Sequence, residues 1–513
     1  MMHTALSPAA SYLQYLDQNR LSLNASVQPQ LLMRFETTAW EAPRSSLDYN
    51  NIAVAALLEA HRCEDKTMRS LYLETALDTL QTAPADHPLC AAHLALIHAL
   101  VGETETALQM AFESLMKTLQ TQEMSPQPLM PGLVYLPDRS DHFEAMIASE
   151  NGYAQALMLL AEVIERSQRI FYNSTGQRML HLAAQVVPHS ASVLLKLGIS
   201  QLIAQQWEGL IALHQAKQLA PTNPLILQSL FLAYRDLGDL EAADFWLKSA
   251  QALHSDQIAW RWTEGAIESP ITYVPFENHL LAVEPSFRSI VTSVLLGAGD
   301  WFEQEMEFWR DSIQPGMTVI DVGANVGVYT FSAANQVGDE GRVIAIEPFS
   351  GCVRCLHETV RVNQLSQVTV CAGAASDRSS TVKLAIGAAS ELNEVVTDGA
   401  PIGEFEEVAC FPLDSLIDSE QLSRVDYLKI DAEGHEMQVL IGSDRILQEF
   451  KPVILYENIA GSKGSNIPVA EYLTSKGYEL FRYQPFVKQV IPVSSVEKLQ
   501  GNLNIIALPM PTA

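Results

Sequence analysis

The stretch that most limits what this chain can fold into is Val319-Ile-Asp321-Val-Gly323-Ala-Asn325-Val-Gly327-Val-Tyr-Thr330. An apolar strand runs into a glycine-bearing turn and then into a helix. Gly323 and Gly327 allow a backbone approach that a Cβ would block. The helix behind them starts with free N–H groups. Dinucleotide sites hold pyrophosphate with similar geometry. Here the GxGxxG spacing is absent, and Asn325 stands in the place of a central glycine. Asp321, at the strand end, repels a phosphate and suits a cationic amino acid group.

The turn belongs to a region where short β-rich runs alternate with helical ones. The candidate strands are Thr318–Asp321, Val343–Glu347, Val368–Cys371, Val425–Asp431, Val453–Glu457, Tyr478–Tyr483 and Leu503–Leu508. Such alternation predicts a mostly parallel sheet with helices on both faces. The last two strands lack an ordinary helix between them, so an antiparallel edge pair is expected. An entry helix containing Trp301–Trp309 stops near Pro315-Gly316.

Glu347 closes the second strand, where a carboxylate fits two ribose hydroxyls. Beyond the third strand, Ala372-Gly-Ala-Ala375-Ser-Asp377 leaves room for a planar base, and Asp377 can accept from an exocyclic amine. Taken in order, these features describe a site for S-adenosylmethionine.

A second block reads Val425-Asp426-Tyr-Leu-Lys429-Ile-Asp431-Ala-Glu433-Gly-His435-Glu436. Lys429 and Asp431 share one side of a strand, and Asp431 falls at its carboxyl end, where such sheets place their chemistry. Glu433 and His435 follow in the turn, and Glu457 ends the next strand. An acceptor hydroxyl must lose its proton as a bond forms, which calls for a general base. His435 has the ordinary value nearest neutrality; Asp431 and Glu457 have the better positions. Lys429 holds one of these acids ionised or contacts the acceptor. The same carboxylates offer hard oxygen ligands to Mg²⁺, although their spacing is no established metal signature.

Plainer roles stand beside these. Asp321 can bond its own turn, Glu433 can cap the following helix, and Lys429 can pair with Asp426. Trp301, Trp309 and Tyr456 can fill core. Asn458 is a candidate substrate contact, and the Gly/Ser-rich segment 459–468 a candidate lid.

The Asp321-Val-Gly-Ala-Asn-Val-Gly327 turn, the block from Asp426 through Glu436 and the strand ending in Glu457 resemble the FkbM-type methyltransferases. The resemblance covers about residues 295–510. It implies an α/β, seven-stranded, Rossmann-like (class I) domain using S-adenosylmethionine. It places the cofactor at Asp321, Gly323, Ala324, Asn325, Gly327, Glu347, Pro348, Ala375 and Asp377. The catalytic candidates are Asp431, Glu433, Lys429, His435 and Glu457. The implied reaction is O-methylation of a sugar, glycan or secondary metabolite.

Residues 50–260 read as successive helices. Tyr234-Arg-Asp-Leu-Gly238-Asp-Leu-Glu-Ala-Ala243, closing at Ala250, has the form of a tight helical pair, and Gly102 through Ala107 repeats it. Gly102 and Gly238 lie about four 34-residue units apart, and the pattern resembles the tetratricopeptide repeat. An all-α solenoid is therefore expected ahead of the α/β domain, binding the acceptor, a protein partner or another subunit. Prolines break the register over 121–150, which reads as a loop or insertion. The expected organisation is an N-terminal segment 1–50, repeats over 51–264, a linker 265–300 and the methyltransferase domain 301–513.

The formal charge is −28, which argues against nucleic acid or anionic lipid as a partner. No signal or membrane-spanning stretch is read from the sequence, so a cytoplasmic location is expected. The alternatives are an interaction scaffold with a vestigial methyltransferase domain, or a protein methyltransferase.

Overall fold

The computed structural model describes residues 7–19, 27–124, 127–138, 140–167, 174–387, 393–396, 404–459 and 464–510. They fall into two compact units: Met1–Pro221 with Gln484–Gln489, and Thr222–Tyr483 with Val490–Ala513.

The first unit is helical. Ser46–Arg62 packs on Lys66–Thr82, Pro88–Leu100 on Thr104–Met124, and Ala191–Ile203 on Gly209–Leu219. Small residues set the spacing. A Cβ on Gly209 would come within 2.5 Å of the Gly198 carbonyl oxygen, so those two helices touch backbone to backbone. Gly102 turns the chain between its helices at φ +83°, a conformation that costs other residues energy.

Within the proline-containing insertion Phe143–Ala148 is helical, but residues 127–136 are irregular, and their later part is buried. Leu133, Val134, Tyr135 and Leu136 are almost completely buried among the helices. A buried backbone without a ladder must find other partners, and here side chains supply them. Gln155 accepts the Gly132 N–H at 2.9 Å, and Arg34 donates to the Gly132 carbonyl at 3.1 Å. Asn51 accepts the Leu133 N–H and Asn50 donates to the Leu133 carbonyl, both at 2.9 Å. The Tyr12 hydroxyl accepts the Val134 N–H and donates to the Val134 carbonyl. Tyr15 treats Leu136 in the same way. His93 Nε2 accepts the Tyr135 N–H at 3.1 Å, which leaves its Nδ1 to donate to Asn50 Oδ1 at 2.8 Å.

The second unit starts with the helices Pro224–Asp236 and Leu240–Gln251. The stretch read as a linker contains a buried antiparallel hairpin, β1 (Thr272–Phe276) and β2 (His279–Val283), followed by the helix Ile290–Ala298. His279-Leu-Leu-Ala-Val283 is buried at every position, so it lacks the alternation that marks a strand in sequence. The entry helix spans Glu305–Ser312. It begins later than expected and leaves Trp301–Glu303 as an irregular approach.

The main sheet is built from β3 (Thr318–Val322), β4 (Arg342–Glu347), β5 (Val368–Ala372), β10 (Tyr427–Ile430), β11 (Val453–Glu457), β12 (Tyr478–Gln484), β13 (Gln489–Pro492) and β14 (Asn504–Pro509). Their spatial order is β13-β12-β14-β11-β10-β3-β4-β5. All seven expected strands form; β13 makes the observed sheet eight-stranded. The run from β11 to β5 is parallel, and β14 is antiparallel to both β11 and β12. Between β5 and β10 a further sheet intervenes, made of β6 (Ala374–Ala375), β7 (Ser380–Ala385), β8 (Glu394–Val396) and β9 (Phe405–Phe411) in the order β6-β9-β7-β8.

Chain order reverses between β3 and β10. A crevice therefore opens at their carboxyl ends, where helices depart to opposite faces. Val319, Ile320, Val343–Ile346, Leu428 and Ile430 are buried in these strands, with the charged Lys429 buried among them.

Burial pushes His93 down to about 4. A base held neutral by folding contributes stability above its ordinary value near 6.5, and that contribution is lost as pH falls toward 4. His61 and His87 are lowered in the same direction, also by burial. We expect His93→Gln to remove about 3 kcal/mol of the stability change between pH 6.5 and 4. Urea denaturation at both pH values measures this; equal changes in the two proteins would refute it.

Candidate active site

The turn after β3 is held by its own backbone. The Gly323 and Ala324 N–H groups donate to the Ile346 carbonyl at 2.9 and 3.1 Å, tying the turn to β4. Gly323, Asn325 and Gly327 have φ of +74°, +51° and +101°. A Cβ on Gly323 would lie 1.7 Å from the Asp431 carbonyl oxygen. Only glycine fits there, and the turn thus sits directly against the end of β10. Gly327 caps the helix Val328–Val337.

Asp321 is fully buried on β3. Its Oδ2 accepts from Thr330 Oγ1 at 2.6 Å, and its Oδ1 has no hydrogen-bond partner. Burial pushes this carboxyl up, while Lys429 pulls it down. Glu347 accepts the Asn325 N–H through Oε2 and the Phe349 N–H through Oε1, both at 2.8 Å. Its carboxylate therefore straddles the ends of β3 and β4, and Pro348 follows it directly. Burial raises Glu347 to about 7 against those two hydrogen bonds.

Ala375 is buried in β6, and Asp377 lies just beyond. The Ser376 hydroxyl is 3.2 Å from Asp377 Oδ1 and 3.0 Å from His435 Nε2. His435 thus stands with Ser376 and Asp377, away from the carboxylates it was expected to join. Burial lowers its basicity.

The carboxylates gather at the ends of β10 and β11. Lys429 is buried, with Nζ 2.8 Å from Asp431 Oδ2 and 4.5 Å from the centre of the Tyr329 ring. Burial alone would lower this ammonium, but Asp431, Asp321 and Glu303 together hold it above the ordinary lysine value. Asp426 is not its partner; that carboxylate accepts the Thr318 N–H and pairs with Arg424. Glu457 is 9% exposed, and its Oε2 has no hydrogen-bond partner. Burial and the nearby Asp431, Glu433 and Glu436 raise it to about 10. Oxygens of Asp431, Glu433 and Glu457 all lie within 4.8 Å of one another.

Residues 321–480 match the family model of the methyltransferase FkbM domain. This part of the chain is an FkbM-type methyltransferase domain. The protein is accordingly an S-adenosylmethionine-dependent methyltransferase. No curated protein matches the sequence. Among solved structures, methyltransferase FkbM from Methylobacillus flagellatus KT is 13% identical, covering 78% of this chain and 100% of that one, with a TM-score of 0.28. A SAM dependent methyltransferase from Aquifex aeolicus is 16% identical over 40% of this chain and 88% of that one (TM-score 0.23). MamA MSR-1 is 15% identical over 40% and 95% (TM-score 0.26).

Several residues of the methyltransferase domain depart from their expected parts. Glu436 ties the turn: its Oε1 accepts the Ala432 and Gly434 N–H groups, and its Oε2 accepts from Asn466 Nδ2. Asn458 is fully buried and donates to the Leu499 and Asn502 carbonyls at 2.9 and 2.8 Å. It latches the chain and does not face an acceptor. Trp309 and Tyr456 are core. Residues 460–463 of the candidate lid lie outside the described residues. Glu303 was not anticipated. Its Oε2 accepts from the Tyr329 hydroxyl at 2.6 Å and from Asn504 Nδ2 at 2.8 Å. Nothing in the sequence sets it apart from the neighbouring Glu305 and Glu307.

Glu347 supplies a test. An acid raised by folding contributes stability below its ordinary value, and the contribution is lost as pH rises through about 7. The ligand-free protein should lose up to about 3 kcal/mol from this group between pH 4.5 and 7.5. Glu347→Gln should flatten that slope. An unchanged slope in denaturant titrations would show that Glu347 is not the group responsible.

Proposed function

We propose that the protein transfers the methyl group of S-adenosylmethionine to a hydroxyl of a sugar, glycan or secondary metabolite. The observation that carries this reading is the packing of the Gly323 turn against Asp431. It sets the expected cofactor turn beside a lysine-paired carboxylate at the switch point of the sheet. In this reading Asp321, Gly323, Ala324, Asn325, Gly327, Glu347, Pro348, Ala375 and Asp377 line the cofactor. Asn325, Ala324 and the glycines shape the turn, and Glu347 takes the ribose hydroxyls. Ala375 and Asp377 border the base, with His435 beside them through Ser376.

Transfer is an in-line displacement, so holding the acceptor oxygen about 3 Å from the methyl supplies much of the rate. The new bond joins that oxygen to the methyl carbon. The bond from carbon to sulfur breaks with its electron pair on sulfur, and Asp431 takes the hydroxyl proton. Lys429 fixes Asp431 at 2.8 Å. Glu433 and Glu457 complete the acceptor side. A divalent cation such as Mg²⁺ enters this reading through its own ligand set and is tested apart from S-adenosylmethionine.

The helical unit is read as a tetratricopeptide-like solenoid that aids binding of the acceptor, a partner or a second copy. Left-handed Gly102 between two helices of this unit supports that reading, and Gly238 plays the same part between the first two helices of the second unit. A cytoplasmic location also belongs to it; among the described residues no helix is long and apolar enough to cross a membrane. The competing reading is a protein methyltransferase, and the family match stands against a vestigial scaffold. Retention of Asp321, Glu347 and Asp431 in one crevice disfavours the scaffold.

Calorimetric titration with S-adenosylmethionine separates these: no heat of binding would remove the enzyme reading. Asp431→Asn should abolish turnover while shifting the cofactor Kd less than about threefold. Glu347→Ala should weaken the cofactor at least about tenfold, as expected for lost hydrogen bonds worth about 1.4 kcal/mol. Reversed phenotypes would overturn the division of the site.

A further inference from the structure

We infer that Asp431, Glu433 and Glu457 form a binding site for one divalent metal ion, placed to hold and activate the acceptor oxygen. This rests on the reading that the carboxyl ends of β10 and β11 are the acceptor side of the crevice.

The topology creates the site. Parallel neighbours β10 and β11 pair with Ile430 opposite Tyr456, so the next residues, Asp431 just past β10 and Glu457 at the end of β11, come at the same end of the sheet. The turn that follows brings the third carboxylate. Glu436 grips the Ala432 and Gly434 N–H groups on either side of Glu433. Glu433 itself has φ +49°, so this fixed turn, and not a helix, sets where its side chain leaves. One oxygen from each of the three acids then falls within 4.8 Å of the others.

Proximity of acids is common and proves little. The second observation is Glu457 itself: the residue is 9% exposed, one of its oxygens belongs to this group, and its Oε2 is buried with no hydrogen-bond partner. A buried polar atom left without a partner is costly. The nearest cation described, Lys429, is already 2.8 Å from Asp431 Oδ2 and lies over the Tyr329 ring. Its charge is felt at Glu457, but its hydrogen bond goes to Asp431, and a bound cation would be the direct partner that Glu457 Oε2 lacks.

The donor set names the class of ion. All three ligands are carboxylate oxygens, with no histidine or cysteine among them, which selects Mg²⁺, Mn²⁺ or Ca²⁺ over zinc or copper. Oxygens on opposite sides of such ions stand about 4.2 to 5 Å apart, so the three acids can share one ion with little movement. Three protein ligands leave about three of six positions open. An acceptor hydroxyl entering one of them would be oriented and made more acidic. Asp431, in contact with Lys429, stays next to the proton it is to receive.

The test uses the full-length protein, stripped with chelator and titrated with Mn²⁺, with free Mn²⁺ read by electron paramagnetic resonance. One ion should bind per chain, and Mg²⁺ should displace it. Glu433→Gln and Glu457→Gln should each weaken Mn²⁺ at least tenfold, while exposed Asp444→Asn should not. The S-adenosylmethionine titration of each variant is run alongside. Cofactor binding without Mn²⁺ binding overturns the metal site and spares the methyltransferase reading; the reverse spares the metal site alone. Mn²⁺ binding that survives both glutamine variants, or that S-adenosylmethionine abolishes by competition, also overturns the site.

Discussion

The contact on which the crevice depends is the approach of Gly323 to the Asp431 carbonyl oxygen. A side chain at Gly323 would have to occupy space within 1.7 Å of that oxygen. The absence of one lets β3 and β10 stay paired to their ends, with Asp431 N–H donating to the Val322 carbonyl at 3.0 Å. Because chain order reverses between these two strands, the turn from one and the acid from the other open into the same space. Moving either strand by one residue would turn Asp321 or Lys429 to the opposite face of the sheet.

This packing gathers negative charge beyond what the protein neutralises locally. Asp321, Glu303, Glu347 and Glu457 are all raised by burial, and neighbouring acids add to the effect. Lys429 is their buried counter-charge, and it already serves Asp431. Burying a carboxylate without a cation is costly, so the crevice favours positive ligands. In the proposed reading, a sulfonium cofactor and a divalent ion answer the same imbalance. Binding either should draw protons off the raised acids, since an added positive charge favours their ionised forms.

Much of this was legible because strand ends are legible. Apolar runs closing on an acid located Asp321, Glu347, Asp431 and Glu457, and glycine spacing located the turn. What stayed hidden depends on tertiary contacts. Glu303 sits in Trp301-Phe-Glu-Gln-Glu305, which has the look of a helix start; the helix in fact begins at Glu305, and periodicity says nothing of an irregular approach. Asn458 follows a catalytic candidate in sequence, but its amide is taken up by carbonyls forty residues away in the chain. His435 lies between acids in sequence, yet the turn at Glu433 and Gly434 carries it toward Ser376. The sheet of β6–β9 was missed because β6 and β8 are only two and three residues long, while β7 and β9 are partly exposed and interspersed with polar or charged residues.

The insertion at 130–136 shows the same limit in the helical unit. Prolines signal correctly that it forms neither helix nor ladder, and from that a surface position is the ordinary inference. The inference fails because Asn50, Asn51, His93, Gln155, Tyr12 and Tyr15 place polar groups inside a helical core, where they would be costly if left unpaired. Each of those side chains looks out of place on its own helix, and each is explained by a backbone group of the buried segment. Polar residues on apolar helix faces were therefore the trace of this segment in the sequence. They become readable only when two questions are joined: what satisfies a buried asparagine, and what satisfies a backbone with no strand beside it.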